Sequence, residues 1–236
     1  MSNSGKRIVY EVLEAGRADK EELLNLLLEH FACKGSETTW EAVDATKDTP
    51  GLREALQSTI ELGLQEPCIS VAARDAATNE LVGCRLSFIC TVENFKKWAE
   101  SLDELAEKTK AAGQWQVYRR WQVAIPIRKE ILRRMDEFFK NEPSYHQMIA
   151  LTVHSDYRRM GIAKEMNRLC IEKGRELGTN CVQVLASSEI AQRTFESLGF
   201  ERKIHMFYED LLDEEGKPWI VPKNGAKSSA YYVKWL

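Results

Sequence analysis

The chain has 236 residues, 44% of them hydrophobic and 29% charged, with a formal net charge of −3. That balance excludes a disordered or fibrous chain, and the length can bury a full core without disulfide or metal staples. Slight acidity offers no general attraction to nucleic acid or to an anionic membrane, and no apolar run is long enough to span one.

Ile8 to Leu13, rich in β-branched residues, reads as a first strand. Asp19 then caps a helix carrying Leu23, Leu24, Leu27, Leu28 and Phe31 at helical spacing. The polar stretch Lys34 to Thr39 interrupts it, and Thr49-Pro50-Gly51 opens another helix through about Leu62. Ile69–Asp75 and Leu81–Cys90 flank the polar turn Ala76-Ala77-Thr78-Asn79, as in an antiparallel hairpin. From about 93 to 140 the chain turns charged and helical, with Gly113 and Pro126 as its breakers, and predicts an insertion of two or three helices.

Met148–Val153 is a continuous apolar run, the mark of a central buried strand, and a helix follows from Ile162 to about Gly174. Cys181–Ala186 is a second buried strand. Glu189–Leu198 is a short helix for which Gly199 supplies a left-handed cap. Strands near Lys203–Tyr208 and Ala230–Trp235 close the order. The expected architecture is a single domain over 1–236, mixed α/β, with a twisted and partly antiparallel sheet of about seven strands flanked by helices.

Six cysteines form no C-x-x-C pair and several sit among apolar neighbours, so they read as reduced core thiols. His30, His146, His154 and His205 lack ligand spacing, and no metal is expected. The N-terminus is polar and runs straight into a strand, which predicts no signal peptide and a cytoplasmic protein.

One turn carries chemistry. Between the Leu151–Val153 strand and the Ile162 helix lie Arg158, Arg159, Met160 and Gly161. A tight strand-to-helix connection aims free backbone N–H groups and the helix dipole at one spot, which suits a phosphate. Arg158 and Arg159 can add charge-assisted contacts, and Gly161 admits close approach. Taken alone, the same spacing fits an ordinary turn with two solvated arginines. It is neither a Rossmann nor a Walker motif, since the required glycines and lysine are missing.

Arg158-x-x-Gly161-x-Ala163 after an apolar strand resembles the Q/R-x-x-G-x-G/A motif of the GNAT N-acetyltransferases. The segment Leu151–Ala163 then runs, at that family's spacing, into Val184-Leu185-Ala186-Ser187-Ser188 and Ser197-Leu198-Gly199-Phe200. Within the family the chain is most similar to the insect-type arylalkylamine (dopamine) branch and its nematode relatives. The resemblance covers Met148–Tyr208 strongly, Ile8–Cys90 fairly and the helical insertion poorly.

The resemblance implies the GNAT fold and acetyl transfer from acetyl-CoA to an amine, with no metal. It implies backbone contacts to the pantetheine arm from Leu151, Thr152 and Val153, in a gap where this strand splays from its neighbour. The pyrophosphate falls on Arg158, Arg159, Met160, Gly161, Ile162 and Ala163, with Lys164 beside them, and Ser187 and Ser188 fall near the thioester.

Glu37 is the candidate base, matching the glutamate of the branch's Phe-x-x-Asp-Glu-Pro loop. Here Thr38 replaces the proline and the loop is one residue longer. An exposed loop glutamate is the alternative for Glu37. Ser187 is the candidate acid, with helix capping as the alternative for it and for Ser188. The branch's second serine is Ala191 here, and Tyr145, Tyr157 and Tyr208 are other possible donors. Phe31, Trp40, Phe88, Trp115 and Trp121 are candidate pocket walls. Glu37, Glu41, Asp44 and Asp48 cluster in one loop.

The expected acceptor is a small arylalkylamine such as dopamine, octopamine, tyramine, serotonin or tryptamine. A polyamine or amino sugar, or a non-catalytic acyl-CoA-binding role, stands as the alternative. No nucleic-acid or membrane partner is expected, and the chain is expected to be a monomer or weak homodimer.

Overall fold

Near-continuous burial along the inner strands requires helices on both sides of a sheet. The computed structural model describes residues 6–33, 37–139 and 142–236, and shows that arrangement. Strand β1 (Ile8–Val12) leads to helix α1 (Lys20–Leu26), a π-helical turn over Leu27–Cys33, and helices α2 (Thr38–Ala42) and α3 (Leu52–Gly63). Strands β2 (Val71–Asp75) and β3 (Leu81–Thr91) form the expected hairpin. The insertion follows as α4 (Val92–Glu100), α5 (Leu102–Ala111), α6 (Trp115–Arg133) and α7 (Met135–Phe139). Then come β4 (Ser144–Val153), α8 (Ile162–Glu176), β5 (Cys181–Ala186), α9 (Glu189–Ser197), β6 (Glu201–Phe207) and β7 (Ser228–Trp235).

The described strands form one seven-stranded sheet in the order β1-β2-β3-β4-β5-β7-β6. Only the central β4–β5 pair is parallel. On one face α8 and α9 pack over Val71, Val82, Met148, Val182, Val184 and Tyr232. The opposite face is shared. Helices α1 to α3 cover Ala72, Cys84, Leu86 and Ala150, and the insertion covers Cys90, Tyr145, Cys181 and Tyr231.

Three sequence expectations need correction. The insertion holds four helical segments rather than two or three, because Ser101 and Arg134 divide it as well as Gly113. Pro126, expected as a breaker, lies inside α6. An internal proline costs about 3 kcal/mol. Val123, Ile125, Ile127 and Ile131 are all nearly fully buried, and at roughly 1.5–3 kcal/mol each their burial outweighs it. Strand β4 begins at Ser144 rather than Met148, since its buried Tyr145, His146 and Gln147 interrupt the apolar run. The capping expectations hold: Asp19 accepts from Glu21 and Glu22, and Gly199 has φ +80°. All six cysteines are free, five of them buried, with Cys33 half-buried.

His146 fixes how closely α8 approaches the sheet. Its imidazole is fully buried, and burial pushes it down to about 3, so it is neutral at pH 7. Its Nε2 lies 3.5 Å from the Cys170 Sγ. A Cβ at Gly174 would meet its Nδ1 at 2.7 Å and Thr179 Oγ1 at 3.0 Å. Helix propensity alone would favour alanine there by about 1 kcal/mol, but overpacking a closed core costs about 1–3 kcal/mol. Gly174→Ala is therefore expected to lower the urea midpoint, and a raised midpoint would contradict the close approach.

Candidate functional site

The parallel pairing of β4 with β5 runs only from His146↔Val182 to Met148↔Val184. At that point Ile149 is skipped in the register with β3, which passes from Leu86↔Ala150 to Ser87↔Met148. A bulge bends its strand. Beyond it β4 stays with β3 as far as Val153, while β5 stays with β7 as far as Ala186. The two central strands thus diverge and leave a wedge between them.

At the mouth of the wedge lies the Arg158–Lys164 turn. Gly161 is the N-cap of α8 with φ +78°, no side chain caps that helix, and a Cβ on Gly161 would find nothing within 4 Å. Fifteen helical residues thus present uncapped first-turn N–H groups beside open space. Arg159 also holds a left-handed conformation, φ +65°. Ile162 is buried and anchors the turn, whereas Arg159, Gly161 and Lys164 are exposed and Met160 and Ala163 partly so. Arg158 folds back, donating from Nε to the Val153 carbonyl at 3.4 Å and from Nη2 to the His30 carbonyl at 3.5 Å. On the adjoining strand Leu151 and Val153 face α8, and Thr152 is buried.

Glu37 is not an exposed loop residue: it is 8% exposed and caps α2. Its Oε2 accepts from Trp40 N at 2.8 Å and Thr39 Oγ1 at 2.6 Å. Arg120, from α6, brings Nε to 3.9 Å from the same oxygen, donates to Thr39 Oγ1 at 3.0 Å, and lies 4.5 Å over the Trp40 ring. Among the described residues no hydrogen bond falls on Oε1.

Tyr208 joins this group. Its hydroxyl donates to the Ser187 carbonyl at 2.7 Å. Burial first, and then the Glu37 charge, raise it well above the ordinary phenol value, so it carries its proton at neutral pH. The carboxylate, the phenol and the end of β5 therefore converge where β4 has moved away. Ser188 caps α9 through Ala191 N at 3.3 Å. Tyr157 donates to Asp75 at 2.8 Å and Tyr145 lies in the core, so neither reaches Glu37.

Partial exposure of neighbouring residues marks a cleft beside this group on the insertion-side face. Phe88, Ile149 and Leu185, on three neighbouring strands, are only partly buried although helices cover that face. Opposite them α6 turns a stripe of Arg120, Trp121, Ala124 and Arg128, each also partly accessible. Trp219, from the β6–β7 connection, packs at one end, 5.6 Å from Tyr118, with its carbonyl bonded by Arg119 Nε at 2.9 Å. Of the expected walls, Phe88 and Trp121 line this space. Trp40 offers its face to Arg120, Phe31 is core, and Trp115 is 54% exposed. The acidic cluster is dispersed: Glu41 accepts from Asn224 N, Asp44 pairs with Lys223, and Asp48 faces solvent.

Comparison with known proteins gives this geometry a family. Residues 37–200 match the model of the acetyltransferase (GNAT) family. The chain belongs to that family. It is an acetyl-CoA-dependent N-acetyltransferase by class. No curated protein sequence matches it significantly. Among solved structures, the Drosophila melanogaster polyamine N-acetyltransferase, which forms N-acetylagmatine, is 20% identical with TM-score 0.76 over 98% of this chain and 100% of that one. Arylalkylamine N-acetyltransferase 2 from Aedes aegypti is 21% identical with TM-score 0.73 over 97% of this chain and 99% of that one. Likeness at this level shows a shared fold.

In this GNAT chain, sequence reasoning missed Arg120, Arg128 and Trp219. The arginines had one signal, the spacing of Arg120, Trp121, Ala124 and Arg128 along one side of a helix. Charges on the other faces of α6 hid it. Trp219 lies in an irregular connection between Pro218 and Pro222, where no periodicity operates.

Proposed function

We propose that this protein acetylates a small primary amine with an aromatic or apolar body, using Glu37 as general base. One observation carries the reading: Glu37 and Tyr208 meet at the open end of the β4–β5 wedge, at the head of a cleft floored by Phe88, Ile149 and Leu185. Acetyl-CoA supplies an activated acetyl group as its thioester. Leu151 to Val153 would hold its arm, and the turn Arg158, Arg159, Met160, Gly161, Ile162, Ala163 and Lys164 its pyrophosphate. The uncapped α8 terminus and the space over Gly161 fit an anion.

An alkylamine with a pKa near about 10.4 enters mostly protonated. Glu37 Oε1 accepts that proton, while Thr39, Trp40 and Arg120 hold Oε2 in place. The Tyr208 hydroxyl, protonated and beside the end of β5, is the donor for the departing thiolate, with Ser187 as its neighbour through the backbone. Ser188 serves by fixing the start of α9. The charges of the cleft weigh against a polyamine, since Arg120 and Arg128 line it and the nearby acids are engaged elsewhere or solvated.

Thiol release from acetyl-CoA across arylalkylamines, polyamines and amino sugars tests the reading. Turnover is expected with the arylalkylamines, and turnover confined to polyamines would overturn the acceptor class. Gly161→Glu, which sets a carboxylate in the phosphate space, is expected to abolish acetyl-CoA binding by calorimetry while the circular dichroism spectrum is kept. Glu37→Gln retains an acceptor for Trp40 N but cannot take a proton. It is expected to lower kcat by about 10²–10⁴ and to flatten the acid limb of the pH–rate profile. An unchanged profile would move the base elsewhere.

A further inference from the structure

Among the described residues, the far end of the cleft holds a cation with no counterion. Arg128, on α6, lies 4.6 Å over the Trp98 ring, and its Nε is buried without a hydrogen-bond acceptor among the described residues. The charged and titratable groups around it are Tyr145, Arg120, Tyr231 and Cys90, with no carboxylate among them. Burial holds the guanidinium down to about 10, which still leaves it charged at neutral pH.

A second donor without an acceptor, among the described residues, shares one neighbour with it. Gln183, fully buried on β5, has its Oε1 bonded by the Tyr231 hydroxyl while its Nε2 has no partner. Tyr231 is the shared neighbour of the two. Unpaired buried charge is costly, and a buried donor lacking an acceptor forfeits its hydrogen bond. A partly accessible guanidinium with no acceptor on its Nε points to an acceptor of negative charge. Arg128 remains partly accessible, so this place opens on the cleft.

We propose that the amine acceptor carries a carboxylate at the end remote from its amine, received by Arg128. This rests on the reading of Glu37 as the base at the other end. A guanidinium fork matches a carboxylate in plane and in charge. Arg120, beside Glu37, precedes Arg128 by eight residues of α6, on the order of 12 Å at the helical rise. The amine and the carboxylate are therefore separated by about the length of an aryl ring and a short chain, with the ring over Phe88, Ile149 and Leu185. An α-amino acid, whose two charges are adjacent, does not fit this separation.

The experiment compares phenethylamine with its para-carboxylate, para-(aminoethyl)benzoate, and with phenylalanine, by thiol release from acetyl-CoA. The para-carboxylate is expected to show a KM lower than phenethylamine by about tenfold or more, as for a charge-assisted hydrogen bond. Phenylalanine is expected to be the poorest of the three. In Arg128→Met the KM ratio of the first two is expected to fall to near one. Equal KM values in the wild-type enzyme, or a better fit of phenylalanine, would overturn the proposal even if Arg128→Met does not fold. Turnover of phenethylamine without discrimination overturns this proposal alone. Absence of turnover with all three overturns the amine-acetylation reading as well.

Discussion

Parallel strands at the centre of a covered sheet normally stay paired, because each lost pairing strands backbone polar groups away from water. Here the pairing of β4 with β5 stops after three register positions, at the Ile149 bulge. Every other feature of the site follows from that stop. The wedge gives an extended ligand a β4 edge that no strand of the sheet takes. It also sets the end of β5, with Ser187, apart from the end of β4, so that Tyr208 and Glu37 can occupy the space between. The bulge residue itself becomes part of the cleft floor. The α8 terminus then stands at the outer end of the same wedge, so the proposed anion site and the proposed base are ordered by a single irregularity.

The second constraint is electrostatic. Arg85, on the α8 face, is 2% exposed and lies 5.8 Å from the Phe195 ring, and burial holds it down to about 10. Arg120 and Arg128 add two more guanidiniums on the opposite face. Isolated ions would shift or neutralise in such places, but arginine keeps its charge and disperses it over aromatic faces. Trp40, Trp98 and Phe195 are those faces. Buried or half-buried guanidiniums therefore stand on both sides of the sheet, although the chain as a whole is slightly acidic.

Much of the fold was legible because periodicity reports burial. The apolar run Met148–Val153 gave the inner part of β4, and the break after it gave the start of α8, both from residue type alone. What failed to show were places where burial and polarity coincide. Ser144 to Gln147 fall outside the predicted strand because their polar side chains are enclosed by contacts distant in the chain. Glu37 was recognisable only through resemblance, since its burial depends on α6, more than eighty positions away. Helix α2 is five residues long, too short for any periodic signal. The stripe of Arg120 and Arg128 stayed hidden because the same helix bears Arg119, Lys129 and Arg133, and only packing separates the inward charges from the outward ones.

The cysteines bear on how this molecule can be observed. Five thiols are enclosed by the core, and Cys33 alone is half-buried, at the last residue of the π-helical turn. It stands four positions before Glu37 and directly after the Phe31–Ala32 core contacts. A thiol-reactive fluorophore would accordingly mark one place in an unmodified chain. That place is on the segment carrying the carboxylate, so its emission would report acceptor arrival without any engineered residue.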